Sequence, residues 1–233
     1  MKYLHYTLGI LFAFCLIIIL LITSVEAVTY WMPGYYEKEY AKYHVTDDVH
    51  MEMEELLNVT HEMMAYLRGR RDDLHVPAVV DGRPREFFNQ REIAHMEDVR
   101  ELFLGGLLIR RICLAAAAVC FALLLFLKAS LSKVIPRSIC GCTALFFTLI
   151  CGLAALISTD FTKYFVIFHE IFFDNDLWLL DPSTDLLINI VPEPFFMDTA
   201  ARIAMVFAGS VLIIFFLCLF LLHCSRETTH KGG

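Results

Sequence analysis

The sequence lacks the short motifs by which many hydrolases, nucleotide-binding proteins and metalloproteases are recognised. No serine lies in a G-x-S-x-G pattern, and no phosphate loop of the G-x-x-x-x-G-K-[ST] type occurs. His61-Glu62 is not followed by the second histidine of H-E-x-x-H, and Asp174–Asp176 lacks the glycine and alternation of an EF-hand. The sequence therefore predicts neither a nucleophile elbow nor a metal site.

Cysteine is absent from the two charged stretches that separate the apolar runs, residues 29–102 and 159–201. All the cysteines lie in or beside apolar runs, at Cys15, Cys113, Cys120, Cys140, Cys142, Cys151, Cys218 and Cys224. Cys140 and Cys142 have neither the spacing nor the second pair of a zinc site. This distribution excludes a disulfide-stapled domain between the runs and predicts that the cysteines are small apolar filler.

Charge is scarce in four long apolar runs, although the 233-residue chain has a formal net charge of −7. Runs of about 18 or more apolar residues are typical of membrane-spanning helices. We predict spans at about 8–28, 103–127, 138–158 and 202–223, and we interpret residues 1–233 as a single integral membrane domain. The first run also resembles a secretory signal peptide, but its length favours a retained span.

Basic residues are distributed unevenly between the connections. The short connection after the second span holds Lys128, Lys133 and Arg137 without an acidic residue, whereas residues 159–201 hold Lys163 among many acids. Because cytoplasmic loops are enriched in Lys and Arg, both termini are expected to be cytoplasmic. The predicted fold class is therefore a mainly α polytopic membrane protein with four transmembrane helices. Its two extracytoplasmic segments, 29–102 and 159–201, are expected to form a small cap.

The first of these segments has helical patterning. Apolar residues recur every three to four positions from Thr46 to Leu67, and Thr46 is a suitable N-cap, so we predict one amphipathic helix there. Residues 68–85 are charged and contain Pro and Gly, which predicts a loop with at most a short strand at 76–80 before Asp81-Gly82. A new helix is expected from Asn89, running unbroken into the second span.

Two arginines, Arg110 and Arg111, fall near the outer end of the second span. Arginine at this depth either snorkels towards lipid phosphates or pairs with an acid inside a polar cavity. The sequence leaves both interpretations open.

Helix starts in the second segment are predicted from residues that can act as N-caps. A short helix is expected to begin near Asp181 and run to Ile190, with Ser183 or Thr184 as its cap. The fourth span is expected to be capped by Asp198 or Thr199.

Two histidines stand out because each lies at the extracytoplasmic end of a predicted span. Imidazole has an ordinary pKa that allows proton exchange near neutral pH. His95 has Asp98 about one turn further along the same helix, where a carboxylate can orient the ring. His169 follows an aromatic run. The alternative for each is a structural role, as a surface histidine with one salt link or as an interfacial histidine at the end of a span.

The residues around both histidines form two longer motifs. The first is Glu92-Ile93-Ala94-His95-Met96-Glu97-Asp98-Val99-Arg100, and the second is His169-Glu170-Ile171-Phe172-Phe173-x-Asn175-Asp176-x-Trp178. These motifs resemble those of the bacterial lipoprotein intramolecular transacylases. The resemblance implies an acyltransferase that moves the sn-2 acyl chain of a diacylglyceryl-modified N-terminal cysteine to that cysteine's own α-amine. The product is a lyso-form lipoprotein.

The resemblance also implies which residues act. His95 and His169 are the implied catalytic pair, and no cofactor is implied. Residues expected to support the pair or position the substrate are Asp98, Arg100, Asn175, Asp176 and Trp178. The implied partners are the diacylglyceryl-modified lipoprotein and membrane lipids, without nucleic acid. The implied location is the bacterial plasma membrane, with the active site on its extracytoplasmic face.

Proton transfer by two histidines suits this reaction. The α-amine is largely protonated at neutral pH and must lose a proton to attack, whereas the departing glycerol alkoxide must gain one. We therefore expect the two outer segments to meet and the histidines to start in opposite protonation states, in a site lined by Phe165, Phe168, Phe172 and Phe173. Two other functions stay open, a non-enzymatic membrane subunit of an envelope complex and a lipid ester hydrolase.

Overall fold

A computed structural model describes the backbone of residues 1–230 and the side chains of residues 1–224. Its helices and strands are, in chain order, α1 (Lys2–Glu26), a π-helical turn (Ala27–Trp31), α2 (Tyr35–Lys42), α3 (Val45–Val49), α4 (Met53–Leu67), β1 (Pro77–Val80), β2 (Arg83–Glu86), α5 (Gln90–Phe126), α6 (Leu131–Ile157), α7 (Phe161–Phe172), α8 (Leu186–Ile190) and α9 (Glu193–His230). Within the described residues, α1 with its π-helical turn, α5, α6 and α9 are long and apolar enough to cross a membrane. This confirms the mainly α polytopic fold.

The chain folds as two compact units. The membrane unit comprises Met1–Glu26, Leu107–Thr159 and the chain from Ile203, and the polar unit comprises Ala27–Gly106 and Asp160–Arg202. The 37 residues of α5 make a helix about 55 Å long, whereas the hydrocarbon core of a bilayer is about 30 Å thick. The helix is therefore longer than a bilayer core requires, and its part before Leu107 belongs to the polar unit. The single domain and the cap stay predictions.

The membrane unit is held together by close helix packing. A Cβ atom added to Gly9 of α1 would lie 2.5 Å from Ser138 Oγ of α6, so only glycine allows these helices to approach as they do. Its buried apolar groups are Ala13 with Ile139 and Cys218, Cys15 with Cys113 and Ala117, and Ile17 with Phe207 and Val211. Three of the cysteines thus act as small apolar filler, as predicted.

Arg110 and Arg111 differ in their surroundings. Arg110 donates a hydrogen bond to the carboxylate of Glu26 at the end of α1, and that carboxylate is almost completely buried. A buried carboxylate is costly without an opposite charge, so the pair stabilises the junction of α1 and α5. The pairing interpretation is therefore confirmed for Arg110, while Arg111 is exposed.

The prediction of one amphipathic helix from Thr46 to Leu67 is wrong, because the segment forms two helices. The chain turns at His50, whose φ of 51° is left-handed, and the helix is divided into α3 and α4. No glycine or proline marks this break, so the sequence carries no local signal for it. The apolar stripe is nevertheless correct, because Val49, Leu56, Val59, Met63 and Leu67 are buried.

The stretch predicted as a loop contains a β-hairpin. β1 pairs antiparallel with β2 in a register that sets Pro77 opposite Glu86 and Val80 opposite Arg83. Asp81 and Gly82 join them with φ angles of 53° and 69°, as the left-handed turn of a tight hairpin requires. The short strand at 76–80 is confirmed, and the loop prediction is wrong for 83–85, which belong to β2. All residues of β2 are exposed, so no apolar alternation announces the strand.

The short helix predicted through Leu186 to Ile190 is confirmed, but the N-caps predicted for it and for the fourth span are wrong. α8 begins at Leu186 with Asp185 as its N-cap residue, and α9 begins at Glu193 rather than after Asp198 or Thr199. Pro194 lies in the first turn of α9, where the missing backbone N–H costs nothing. The Asp185 side chain is engaged elsewhere, since it accepts hydrogen bonds from Asn89 and from the backbone N–H of Asp181.

Candidate functional site: a buried histidine pair

His169 lies near the end of α7, a helix capped by Asp160. The Asp160 side chain accepts a hydrogen bond from the backbone N–H of Lys163 at 3.1 Å. One turn before the histidine, the carbonyl oxygen of Phe165 lies 2.7 Å from His169 Nδ1. A carbonyl can only accept, so Nδ1 carries a proton and donates it. In the neutral ring, Nε2 is then the nitrogen with a free lone pair.

Aromatic rings enclose His169, which is 8 % exposed. The ring of Phe165 lies 4.3 Å away between centroids, Trp178 stacks at 4.8 Å and 28°, and Phe168 and Phe173 lie at 5.4 and 5.5 Å. Burial lowers the pKa of His169, which the hydrogen bond to Phe165 opposes. The ring is therefore neutral at pH 7, with water largely excluded from its faces.

Three of the four predicted lining residues contact the histidine, and one does not. Phe172 packs on Phe168 at 4.7 Å between ring centroids and is 51 % exposed. Trp178, expected to support the pair or position the substrate, stacks on His169. Its ring position depends on the turn after α7, which the aromatic pattern of the sequence does not define.

His95 lies in the polar part of α5 and faces His169. The two ring centroids are 6.2 Å apart, and Phe173 meets His95 edge-on at 5.4 Å. This confirms that the two segments meet and bring the histidines together. His95 is 7 % exposed, and its Nδ1 has no hydrogen-bond partner among the described residues. An imidazole in such a position has one nitrogen available for a ligand.

The protonation of His95 follows from its surroundings. Burial, followed by the neighbouring His169, lowers the pKa of His95 to about 4, and the carboxylate of Asp98 opposes the shift. Both histidines of the pair are thus neutral at pH 7. Burial therefore favours the neutral form of both rings, against the expectation that they start in opposite protonation states.

The loop after α7 is tied to α5 by two polar contacts. Asn175 Nδ2 donates to Asp98 Oδ2 at 2.8 Å, and Arg91 donates to the backbone carbonyl of Asp176. Trp178 Nε1 donates to the carbonyl of Asn175 at 3.0 Å, which orients its ring against His169. Of the expected supporting residues, Trp178 contacts the pair, whereas Asn175 and Asp176 join the loop to α5. Asp98 hydrogen-bonds to Asn175 and not to His95.

Arg100 lies away from the pair. Its Nη2 donates to the backbone carbonyl of Arg71 at 3.1 Å, and its guanidinium group lies 4.6 Å from the centre of the Tyr66 ring. These contacts fasten α5 to the end of α4. The structure thus does not bring Arg100 to the histidines, and its role in positioning substrate stays a prediction.

Glu92 is a further residue of the site to which sequence reasoning assigned no role. Asn89 and Glu92 cap α5 reciprocally: Asn89 Oδ1 accepts from the Glu92 N–H at 3.0 Å, and Glu92 Oε2 accepts from the Asn89 N–H at 2.6 Å. The other carboxylate oxygen accepts from the Leu187 N–H at 2.5 Å. Glu92 is fully buried, and burial raises its pKa. One side chain, a turn before His95, therefore joins α5 to α8.

Replacing Glu92 by Ala should destabilise the protein more than most substitutions in the polar unit. It leaves two backbone N–H groups without acceptors, at a cost of about 1–3 kcal/mol each. Thermal unfolding in detergent should show a clearly lower midpoint for Glu92→Ala than for Glu54→Ala, since Glu54 is an exposed residue of α4. Equal midpoints for the two variants would contradict the bridging role.

Metal ligation at this site would begin with the two imidazoles. Catalytic zinc takes three protein ligands and keeps one position open. Among the residues that the structure describes, no three His, Cys, Asp or Glu side chains are grouped to hold a metal ion. The site as described is a pair of neutral imidazoles in aromatic surroundings.

The fold and site together define an integral membrane protein with a buried imidazole pair, and comparison with known proteins names its class. The model of the family described as "Lipoprotein intramolecular transacylase Lit" matches residues 10–196. The chain therefore belongs to the Lit family and is a membrane-integral acyltransferase that acts on lipoproteins. The match includes both histidine motifs.

Solved structures share the fold of this chain. The membrane-integral lipoprotein intramolecular transacylase Lit from Bacillus cereus is 22 % identical, with a TM-score of 0.82 over 97 % of this chain and 100 % of that chain. A variant of that protein with one histidine replaced by alanine is 21 % identical and has a TM-score of 0.77 over 97 % of each chain. No curated protein sequence matches the chain.

Proposed function

We propose that the chain transfers the sn-2 acyl group of a diacylglyceryl-modified N-terminal cysteine to that cysteine's α-amine, at the pair His95–His169. The observation that supports this most is the pair itself: two buried imidazoles 6.2 Å apart within one aromatic pocket. A reaction that takes a proton from an amine and returns one to an alkoxide needs such groups within reach of one substrate.

His169 is the proposed general base. Its Nδ1–H is held by the Phe165 carbonyl, so Nε2 is the basic nitrogen, and the same hydrogen bond stabilises the imidazolium that forms. Nε2 takes a proton as the amine attacks the ester carbonyl. The new N–C bond forms, and the C–O bond to the sn-2 glycerol oxygen then breaks. The departing oxygen receives the proton, so no proton is gained or lost overall when the amine starts neutral.

His95 is proposed as a neutral hydrogen-bond donor. With its pKa lowered to about 4, the ring holds an extra proton poorly but retains one N–H. A neutral imidazole N–H can stabilise the negative charge that develops on the ester carbonyl oxygen. Asn175, Asp98 and Trp178 hold the two rings in this arrangement and are proposed as positioning residues.

The location of the site follows the distribution of charge. We propose that both termini are cytoplasmic, that the polar unit lies on the extracytoplasmic face of a bacterial plasma membrane, and that a diacylglyceryl-modified lipoprotein reaches it from the outer leaflet. The basic connection between α5 and α6 supports this orientation.

The pH dependence of product formation tests the reaction and the protonation states together. Above their lowered pKa values both histidines are neutral, so the group that titrates near neutrality is the substrate amine, with a pKa of about 7.7–8.0. The rate with a synthetic diacylglyceryl lipopeptide, followed by mass spectrometry of the lyso-form product, should rise about tenfold per pH unit below 7, reach half its maximum at about 7.7–8.0 and level off above that.

Two outcomes of this measurement would contradict the proposal. A midpoint near pH 6.5 would indicate a histidine with an ordinary pKa in place of the amine. Absence of the lyso-form product at every pH, from a protein that remains folded, would contradict the reaction itself.

A further inference from the structure

A basic cavity lies in the membrane unit, between the first two turns of α1 and the first two turns of α6. Its volume is about 290 Å³, and its polar lining consists of Lys2, His5, Tyr6, Ser130, Lys133 and Arg137. The connection that precedes α6 was used above only to orient the chain. The basic residues of that connection line the same cavity as those of the N-terminus.

Helix geometry explains the convergence. On α1 the lining residues are three and four positions apart, and on α6 Lys133 and Arg137 follow Ser130 by three and seven, so each set occupies one helix face. Arg137 Nη1 donates to the hydroxyl of Tyr6 at 3.0 Å, which joins the two helices across the cavity. The close approach at Gly9 sets their separation just beyond it.

The cavity has a large excess of positive charge. It is lined by two lysines and an arginine, and no acidic side chain of the described residues lines it. Among the described side chains of the membrane unit, Glu26 is the one acidic residue. It lies at the other end of α1, where it accepts a hydrogen bond from Arg110. Both helices also begin here, so their unpaired N–H groups and dipoles add positive potential.

A buried polar atom in the cavity wall is also without a partner. His5 Nε2 is inaccessible to solvent and makes no hydrogen bond with the described residues. Buried polar atoms are normally paired, so such an atom indicates a site for a ligand or an ordered water. Basic residues that only orient the spans would act as well if dispersed over the surface. Their convergence on one cavity calls for a bound anion.

We propose that this cavity binds a phosphate group, of the kind carried by the phosphodiester headgroup of an anionic phospholipid. Basic pockets between membrane helices are suited to such headgroups, and here the cavity lies at the ends of two apolar helices, where headgroups are found. The cavity shares no lining residue with the histidine pair, and the diacylglyceryl-cysteine substrate has no phosphate that could bind here. A free phosphate ion is the other source of the same chemistry.

The thermal stability of the purified full chain in detergent tests the proposal. Phosphatidylglycerol should raise the unfolding midpoint, and phosphatidylcholine with the same acyl chains should not. The double variant Lys133→Gln/Arg137→Gln should bind phosphatidylglycerol about tenfold more weakly or worse, since it loses two charged donors. The matched control Arg111→Gln/Lys128→Gln removes the same charge from the same unit but not from the cavity, and it should respond like the unaltered protein.

Inorganic phosphate without lipid distinguishes the sources. If it stabilises the unaltered protein as well as phosphatidylglycerol does, and the double variant loses that response, the phosphate site is upheld with a free anion as its ligand. A response to phosphatidylglycerol alone upholds the site with lipid as its ligand. Equal responses of the unaltered protein and the double variant, or no response to either probe, would overturn the proposal that the cavity binds phosphate.

A single variant covers the case in which the double variant is too unstable to study. Arg137→Gln loses one charge and the direct contact with Tyr6, and its affinity for phosphatidylglycerol should fall severalfold. Acyl transfer in phosphatidylcholine discs should be unchanged in this variant, because the histidine pair is separate. Undiminished affinity would count against the cavity as the binding site.

Discussion

His169→Ala should reduce the rate of acyl transfer by about 10²–10⁴-fold, the usual contribution of a general base. The substitution removes Nε2, the basic nitrogen whose lone pair is defined by the hydrogen bond from Nδ1 to Phe165. It leaves the capping of α7 by Asp160 intact. The measurement is the rate of lyso-form product formation by purified protein, with folding checked by thermal unfolding.

His95→Ala should produce a loss of the same order, since the proposed oxyanion donor disappears. His61→Ala is the matched control, because His61 also lies in the polar unit but has a side chain that is 81 % exposed. That variant should keep full activity. Near-normal activity of folded His169→Ala or His95→Ala would show that the pair is structural, as an interfacial histidine would be.

A labelled sn-2 acyl group should move to the N-terminus of the same substrate molecule, with little free fatty acid. The tethered amine is favoured over water because attack is intramolecular, and proximity alone can contribute several kcal/mol, about 7–11 in well-oriented cases. Exclusion of water adds to this preference, since aromatic rings surround His169 and both imidazoles are buried. The label is followed by mass spectrometry of the lipopeptide and by extraction of fatty acid.

Acetylation of the substrate amine provides the control for this experiment. The blocked amine cannot attack, so the label should remain on the glycerol and no fatty acid should appear above the level of His169→Ala protein. Release of labelled fatty acid from blocked substrate would identify a hydrolase. No change in either substrate, in detergent or in liposomes, would identify a non-enzymatic membrane protein.

Local patterns in the sequence predicted those parts of the fold that depend on near neighbours. The continuous helix from Gln90 to Phe126 was predicted to run through Gly105 and Gly106, although glycine disfavours a helix. The stripe along α3 and α4 follows from apolar spacing, which survives the break at His50 because both pieces bury the same kind of face. The exposed strand β2 was missed because backbone pairing with β1, and not its own side chains, defines it.

The histidine motifs were visible in the sequence, but the chemistry of the pair was not. Opposite protonation was expected from the needs of the reaction, whereas burial acts on both rings in the same direction. Asp98 was expected to orient His95 because they lie three positions apart on one helix. Its hydrogen bond goes to Asn175 instead, which a single-helix argument cannot reveal. Glu92 had a visible signal, the N-x-x-E capping pattern before an apolar run.

The sequence by itself determined the membrane helices, the two histidines and the class of chemistry, because hydrophobic length and residue type are properties of the chain before it folds. Tertiary structure decided which groups meet. Glu92 reaches Leu187 and Asp98 reaches Asn175 across separations of 95 and 77 residues, and no local pattern encodes such pairings. It also lowered the pKa of both histidines. The cause is loss of contact with water, which occurs only when the folded chain buries His95 and His169.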